Sequence, residues 1–218
     1  MARIVHNSDA LEWLEKNAFP GCSFAASLPD FSEFPSLSLA EWKSWFENAA
    51  RKVLSACPPE GVVIFYQRDI KREGEWVDKS YLLQKAAEQE GMAMLWHKIV
   101  ARSPAGQATF GKPGYSHLLC FSRNLRLDLG QSTADLLPTA GKASWPRGMG
   151  HEVCEMICRF VLTYTTTRTL VVPFCGQGAL LAVAEGAGLQ AVGVEKSRKR
   201  AERALAISLE EIRDLARR

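Results

Sequence analysis

The stretch "VVPFCGQGALLAVAEGAGLQAVGVEKS", residues 171–197, decides the fold. An apolar run ends in a turn that contains Gly176 and Gly178, a helix of small apolar residues follows, and a second apolar run ends at Glu195. Glycine permits a sharp turn after a strand and lets a ligand approach the backbone N–H groups at a helix N-terminus. An acid at the end of the second strand can accept hydrogen bonds from ribose hydroxyls. Two such glycines are common by chance, but this order of elements predicts a nucleoside-binding βαβ unit.

Length and composition limit the class of protein. A chain of 218 residues, 47% hydrophobic and 23% charged, suits a single ordinary globular domain. No apolar run approaches the roughly 20 residues of a membrane span, and the N-terminus carries charges where a signal peptide needs an apolar core. The six cysteines form no C-x-x-C pair, which argues against a zinc site or a disulfide framework. We therefore expect a cytoplasmic protein with reduced thiols, no metal and no membrane partner.

Predicted strands and helices alternate along the chain. The clearest helix, 38–57, opens with the capping-box spacing of Ser38 and Glu41. The remaining elements are predicted from apolar periodicity: strands over 3–7, 22–27, 61–67, 92–100 and 115–122, helices over 9–17, 79–91 and 151–165, an ordered loop over 127–150 and an amphipathic helix from 195 to the end. Such alternation predicts an α/β fold, in which helices cover both faces of a parallel or mixed sheet.

The distribution of charge is more informative than its sum. The net charge is only +3, and residues 195–218 account for all of it, with eight Lys/Arg against five Asp/Glu on a helix that we expect to be solvated. Residues 91–127 contain no acid, and aromatic residues are interleaved with their basic side chains, which include Lys98, Arg102, Lys112 and Arg123. A basic and aromatic stretch of this kind is what a polyanion-binding rim needs.

Several of these segments resemble one enzyme family in the order of its motifs. "PFCGQG" and "VGVEKS" are similar to the cofactor loop, typically D-P-F-x-G-x-G, and to the next strand of S-adenosylmethionine-dependent methyltransferases of the permuted, amino-methylating kind, the N6-adenine/N4-cytosine DNA methylase-like family. "NSDALEWL" and "SLPDF" resemble the opening of that family, and "ASWPRGMGHEVCEMICRFV" resembles the helix before its cofactor strand. The resemblance spans nearly the whole chain. It implies a Rossmann-like methyltransferase fold, with a mostly parallel seven-stranded sheet and permuted motif order, in one methyltransferase domain over residues 1–218.

The resemblance also implies the cofactor, S-adenosylmethionine, and the residues around it. These would be Asp9 near the adenine, Ser27, Arg147 at the carboxylate end together with Trp145, Pro173, Phe174, Cys175, Gly176 and Gly178 around the methionine and ribose, and Glu195 on the ribose. Asp9 is equally well placed to cap a helix, and Arg147 competes with an ordinary surface arginine. A nicotinamide-binding fingerprint is disfavoured because Leu181 stands where it needs a third glycine.

The segment "SLPDF", Ser27, Leu28, Pro29, Asp30 and Phe31, departs from the family's target motif S/D-P-P-Y/W. In that motif the first side chain and the following carbonyl accept hydrogen bonds from the target amino group, while the final aromatic ring stacks on the base. Ser27 and the Leu28 carbonyl retain the acceptors, but Asp30 occupies the stacking position. Three hypotheses follow: an altered target, with Ser27 or Asp30 handling the proton and Phe31 or Phe34 providing a flat face; a decayed subunit that binds the cofactor beside another methyltransferase; or an Asp30 that only caps a turn.

The amount of chain that could contact a nucleic acid bears on which polymer is the substrate. DNA methyltransferases of the permuted kind insert a recognition domain before the penultimate helix, and here only the short interval up to residue 150 fills that place. Direct reading of base pairs needs more protein than this, whereas a structured RNA is recognised by shape and an exposed base. We therefore favour RNA, such as transfer RNA, over DNA, and leave a homodimer or a partner protein open. The polar residues after the strand 61–67 are candidates to line the target pocket: Gln67, Arg68, Asp69, Lys71 and Arg72.

Overall fold

A computed structural model describes residues 3–72 and 74–217, in which helices cover both faces of a central sheet. The strands are β1 (Ile4–His6), β2 (Cys22–Ala26), β3 (Val63–Gln67), β4 (Ile70–Arg72), β5 (Glu75–Val77), β6 (Ala93–Ala101), β7 (Tyr115–Ser122), β8 (Leu136–Leu137), β9 (Thr169–Pro173) and β10 (Gln190–Val194). The helices are α1 (Ala10–Glu15), α2 (Leu39–Ala56), α3 (Lys79–Gln89), α4 (His151–Tyr164), α5 (Ala179–Gly186), α6 (Arg198–Ala206) and α7 (Leu209–Arg217). Single 3-10 turns lie at Phe31–Glu33 and Leu129–Gln131.

The central sheet has the strand order β1-β10-β9-β2-β3-β7-β6-β8, and β4 and β5 form a separate hairpin. The five strands from β1 to β3 in this order are parallel, and β7 runs antiparallel to both β3 and β6. Strand β2, near the start of the chain, pairs with β9, near its end, and the chain leaves these two strands towards opposite edges of the sheet. Such a switch point leaves a crevice at the carboxyl ends of the strands, where open α/β sheets bind ligands.

The core lies on both faces of the sheet because β3 is apolar at every position before Gln67. Ile64 points to the face covered by α4 and α5, while Val63 and Phe65 point to the face covered by α2 and α3. Helix α2 buries one apolar face, with Trp42, Phe46, Ala49, Ala50, Val53 and Leu54 fully enclosed. Burial of a side chain such as Phe46 contributes about 1.5 to 3 kcal/mol to stability. The packing of α2 therefore holds the helix firmly against β2 and β3.

The predicted α/β fold is confirmed, and so is the capping box of Ser38 and Glu41 at the start of α2. The sheet has eight strands rather than seven because Leu136 and Leu137, in the predicted loop, pair with the edge strand β6. The hairpin β4–β5 was not predicted. The predicted C-terminal helix is two helices, because Ile207 between α6 and α7 has an extended backbone conformation. The last residue of the predicted helix, Arg218, lies outside the described residues. No helix within 3–72 and 74–217 is long and apolar enough to cross a membrane.

Candidate functional site

A cleft of about 1330 Å³ crosses the switch point at the carboxyl ends of the parallel strands. The loop after β9 and the end of β10 line one half, and the segments that follow β2 and β3 line the other. Most of the predicted site residues meet here: Asp9, Ser27, Leu28, Pro29, Asp30, Phe31, Arg147, Phe174, Cys175, Gly176 and Glu195. The cleft therefore joins the predicted cofactor site to the predicted target site.

The glycine loop and its acid form one hydrogen-bonded unit. The Glu195 carboxylate, in a residue only 7% exposed, accepts hydrogen bonds from the backbone N–H groups of Gly176 (3.1 Å) and Ser197 (2.9 Å). Each carboxylate oxygen has two lone pairs, so this pairing leaves acceptor capacity towards the cleft. Phe174 has a φ of 60°, an uncommon value for a residue other than glycine, and such strain is typical of ligand-binding loops.

Two predicted cofactor contacts support the loop from outside the cleft. Pro173 ends β9 beside Val194 and is buried, and it does not line the cleft. Gly178 has a φ of 82°, and a Cβ there would lie 2.6 Å from Cα of Ala204 in α6. Helix packing therefore requires glycine at 178, and its predicted contact with a cofactor stays a prediction. Gly176 does face the cleft, where a Cβ would lie 3.0 Å from the Trp145 ring.

The Cys175 thiol lies in the cleft wall and is unreactive. Burial, with the charge of Glu195 nearby, raises the pKa of Cys175 to about 12. Because the thiolate is the nucleophilic form, a thiol with this pKa is inert near neutral pH.

Asp9 caps a helix at the edge of the cleft, and its predicted role near the adenine stays a prediction. Its side chain caps α1 by accepting from the backbone N–H groups of Leu11 (3.0 Å) and Glu12 (3.4 Å), and it also lines the cleft. Its carboxylate pairs with Lys196 at 3.2 Å. Burial raises the pKa of Asp9, but the hydrogen bonds from Lys196 and from these backbone groups outweigh that effect and hold the pKa below its usual value.

Arg147 belongs to a network of charges that spans the cleft. The Glu33 carboxylate lies 3.4 Å from Arg147 and 3.6 Å from Arg200, and Arg200 in turn lies 3.9 Å from Glu195. The Arg200 guanidinium sits over the Trp145 ring, 5.3 Å from its centre. Sequence reasoning missed Glu33 and Arg200, because one lies in an apparent turn and the other in an apparently solvated helix.

The target segment starts where β2 ends. The Leu28 carbonyl, an expected acceptor for the target amino group, already faces the Gln67 amide at the long distance of 3.5 Å. Asp30 caps the 3-10 turn by accepting from the Ser32 N–H (3.2 Å), and Ser27 lines the cleft half-buried. The cap uses only one carboxylate oxygen of Asp30, and the other oxygen has a charged partner.

That partner is Lys79, whose ammonium lies 2.8 Å from Oδ2 of Asp30. The Lys79 side chain is only 2% exposed, whereas that of Asp30 is 45% exposed. The rings of Trp42 and Phe46 enclose the ammonium at 5.2 and 5.7 Å from their centres. Burial lowers the pKa of Lys79, and Asp30 opposes this shift. Burial also raises the pKa of Asp30, but Lys79 outweighs it, so that the pKa of Asp30 falls below its usual value. Asp30 is therefore ionised at neutral pH, and Lys79 holds its carboxylate in place.

Aromatic rings flank the target segment on both sides. Phe31 lies under the Arg72 guanidinium, 4.6 Å from the ring centre, and meets Trp42 edge-on at 6.0 Å. Phe34 packs on Trp45, with ring centres 4.4 Å apart, and Trp45 continues to Phe174 of the cofactor loop at 6.5 Å. Phe31 and Phe34 both line the cleft, so both remain candidates for the flat face.

A buried polar network holds the β4–β5 hairpin and α3 against the sheet. Asp69 bonds to His117 (3.0 Å) and accepts from the Trp76 indole (3.0 Å) and the Lys79 backbone N–H (2.9 Å), while His117 bonds to His97 at 2.8 Å. Asp69, Asp78 and His117 place possible ligand atoms within 4.8 Å of one another. In the described residues, Asp69 and His117 use these atoms to bond to each other.

Two of the four cations predicted to form a polyanion-binding rim lie in the cleft. Arg102 and Lys112 line the cleft, together with Arg68 and Lys71. Lys98, in contrast, is buried and donates to the carbonyl oxygens of Thr133 (3.2 Å) and Ala134 (2.7 Å). Arg123 donates to the Cys57 carbonyl and does not line the cleft. The prediction is wrong for Lys98, because its buried charge is used by backbone carbonyls, whereas for Arg123 it stays a prediction.

No protein-family model matches the chain, and no curated protein is detectably similar to it in sequence. Solved structures are similar. TTHA0409 from Thermus thermophilus, a candidate DNA modification methylase, has a TM-score of 0.72 at 17% identity over 98% of this chain and 95% of its own. The PvuII DNA methyltransferase, which is cytosine-N4-specific, also has a TM-score of 0.72, at 16% identity over 100% and 92%. The complex of M1.HpyAVI with S-adenosylmethionine has a TM-score of 0.60 at 14% identity over 93% and 98%. Since the identity is low, these comparisons establish the architecture: the chain has the Rossmann-like fold of these DNA methyltransferases.

Proposed function

We propose that the chain is an S-adenosylmethionine-dependent methyltransferase that modifies an exocyclic amino group of a nucleobase. One observation carries the proposal. A single cleft joins the loop 174–176 and Glu195 to Ser27 and Asp30 across the switch point of the sheet. Two solved proteins with this fold, TTHA0409 and M1.HpyAVI, have structures in complex with S-adenosylmethionine.

The cofactor half of the cleft suits a nucleoside attached to an amino acid. Glu195 is buried at the end of β10 and keeps acceptor capacity for ribose hydroxyls. Phe174 and Trp145 offer apolar surface, and Arg147 and Arg200 offer guanidinium groups that suit a carboxylate. When bound, the cofactor supplies a methyl group on a sulfonium sulfur.

The target half would hold and orient the amino group. Ser27 and Asp30 provide oxygen acceptors beside the cofactor loop, and acceptors raise the electron density on an amino nitrogen as it attacks a methyl group. The lowered pKa of Asp30 keeps it ionised, so it is a good hydrogen-bond acceptor and a weak base. Most of the catalysis would then come from alignment, and the proton would leave to water at the open cleft.

The polymer favoured here is DNA, which differs from our sequence-based preference for RNA. Two of the structural neighbours named above, TTHA0409 and the PvuII enzyme, are DNA methylases by name, and none of the three is named for RNA. The described residues between β7 and α4 contain only one 3-10 turn and β8, so base reading by a separate recognition domain is not part of this proposal. A partner protein that supplies sequence recognition fits this arrangement.

The test is methyl transfer from deuterium-labelled S-adenosylmethionine to duplex DNA, single-stranded DNA or transfer RNA, followed by mass spectrometry of the nucleosides. We expect labelled N6-methyladenine or N4-methylcytosine from DNA, and less of it from the Glu195→Ala variant when the cofactor concentration is limiting. Label in transfer RNA alone would assign the activity to RNA. Cofactor binding without transfer to any polymer would favour the decayed-subunit hypothesis, and a failure to bind the cofactor would refute the proposal.

A further inference from the structure

Polar side chains gather on one face of three adjacent strands at the target end of the cleft. Tyr66 belongs to β3, Ser116 to β7, and Arg102 follows β6 directly. The register pairs Ser116 with Val100 and Leu118 with Tyr66. Because alternate residues share a face, Tyr66, Ser116 and Arg102 project to the same side of the sheet. Arg68, just beyond the end of β3, lines the cleft with them.

The two guanidinium groups in this cluster have no carboxylate partner among the described residues. Arg68 donates twice to the Pro113 carbonyl, at 2.5 and 3.0 Å, and Arg102 donates to the Tyr66 hydroxyl at 3.0 Å. Burial and, secondarily, the charge of Arg102 lower the pKa of Arg68, so the two cations act on each other. Asp30, which acts weakly on Arg68, is neutralised by Lys79. Two adjacent cations without an anion are repulsive, and a bound anion would relieve that repulsion.

Besides the two guanidinium groups, the Ser116 hydroxyl also points to a ligand at this end of the cleft. Ser116 is fully buried, lines the cleft, and its hydroxyl has no hydrogen-bond partner. Buried polar groups are nearly always hydrogen-bonded, so an unpartnered hydroxyl at the wall of a cleft calls for a partner from outside the chain.

We propose that Arg68, Arg102 and Ser116 bind one phosphodiester of the substrate, next to the target nucleotide. Guanidinium groups match the oxygens of a phosphate, and the hydroxyl can donate to the same group. The strand order places β3, β7 and β6 on one side of β2 and the cofactor strands β9 and β10 on the other. The cluster therefore lies on the target side of the cleft, away from the carboxylate of the cofactor. This site rests on the proposed function, because it needs a nucleic acid as substrate.

The first test measures binding of a short DNA duplex by fluorescence anisotropy at several salt concentrations. Arg68→Gln and Arg102→Gln should each weaken binding and lower the slope of log K against log salt, and the double variant should lower the slope by about 0.9, the value for one phosphate that is no longer neutralised. Affinity for S-adenosylmethionine should stay unchanged. Arg213→Gln on α7 makes the same change of charge at an exposed position outside the cleft, and it should leave the slope as in the parent.

Ser116→Ala separates binding from packing. Since the hydroxyl has no partner in the free protein, its removal should not lower the stability measured by urea unfolding, yet it should weaken DNA binding several-fold. A loss of stability with unchanged DNA binding would mean that the hydroxyl has an internal structural role, and the site would lose Ser116.

A scan with single neutral methylphosphonate linkages locates the phosphate. In the parent protein one linkage beside the target base should weaken binding, and in the double variant Arg68→Gln/Arg102→Gln the same linkage should have little further effect. Equal effects in parent and variant, a slope change in Arg213→Gln as large as in Arg68→Gln, or a loss of cofactor affinity with the salt slope intact would each overturn the proposal. The readout is binding, so absent methyl transfer would count against the proposed function and leave this test standing.

Discussion

The ion pair of Asp30 and Lys79 predicts that removing one partner costs more stability than removing the other. Lys79 is 2% exposed and Asp30 is 45% exposed, so the two charges differ in their access to water. Asp30→Asn leaves a buried ammonium without its counter-ion, whereas Lys79→Met leaves a carboxylate that water can reach. We therefore expect Asp30→Asn to destabilise the fold more than Lys79→Met.

The magnitudes follow from the two limiting cases. Breaking a fully buried pair costs about 3 to 5 kcal/mol and an exposed pair contributes about 0 to 1 kcal/mol, so this half-open pair should cost about 2 to 3 kcal/mol in Asp30→Asn. In Lys79→Met a thioether replaces the ammonium between Trp42 and Phe46, and removal of the buried charge should keep the change within about 1 kcal/mol of the parent. The double variant should recover most of the loss of Asp30→Asn.

Urea unfolding of the parent, both single variants and the double variant measures these differences and their coupling. Single-turnover methyl transfer by the same proteins tests function, because a merely structural pair predicts that the double variant regains activity along with stability. If the charge of the Asp30 carboxylate acts on the target amino group, the double variant should regain stability and still transfer methyl groups more slowly than the parent. Lys79→Met costing more than Asp30→Asn, or strictly additive costs, would refute the reasoning about exposure.

Four further outcomes are expected. Gly178→Ala should lower the free energy of unfolding by about 2 kcal/mol or more, from left-handed strain and the clash with Ala204, when measured in urea; an unaffected fold would exclude the packing role. Glu195→Ala should weaken S-adenosylmethionine binding by about 1 to 3 kcal/mol in calorimetry, and unchanged affinity would remove it from the site. Cys175 should resist alkylation near pH 8 in the folded protein, since its pKa is about 12, and labelling at the rate of the unfolded chain would contradict that environment. Asp30 has a folded pKa below its ordinary 3.8, so it stabilises the fold above that value and loses this contribution as the pH falls through the folded pKa; acid titration of Asp30→Asn should lack this component.

The fold could be predicted because its decisive signals are local. The strand, glycine turn, helix and acid of 171–197 lie within one short segment, and the Ser38 cap is set by a three-residue spacing. The hairpin β4–β5 was missed because each strand has only three residues, too few to show a period of two. The pairing of β8 depends on an edge strand far away along the chain, so no local pattern announces it.

The loop residues of the candidate site could be predicted from the sequence, whereas the side chains that pair with them could not. Asp30 was identified from its position in "SLPDF", but Lys79 joins it from 49 residues away, at the start of an otherwise ordinary helix. Lys98 and Arg102 look alike in sequence, yet their neighbours in the fold make one a buried donor to carbonyl groups and the other part of the cleft. Charge in sequence gives the number of cations, while burial decides which of them can meet a substrate.

The Lys79 pocket bears on whether "SLPDF" is an altered or a decayed target motif. A buried ion pair is weak support for stability, because well-packed apolar residues of similar volume usually serve as well. Here the ammonium is enclosed by Trp42 and Phe46, surroundings that would accept a methionine without penalty. A decayed site has no need for a buried cation, whereas a target site needs a carboxylate that stays ionised and fixed at the cleft wall. Lys79 gives Asp30 both properties, through its charge and through its position in a helix anchored to Asp69. The altered-target hypothesis therefore predicts that Asp30→Asn lowers methyl transfer by more than its loss of stability explains, whereas an Asp30 that only caps a turn predicts no such excess.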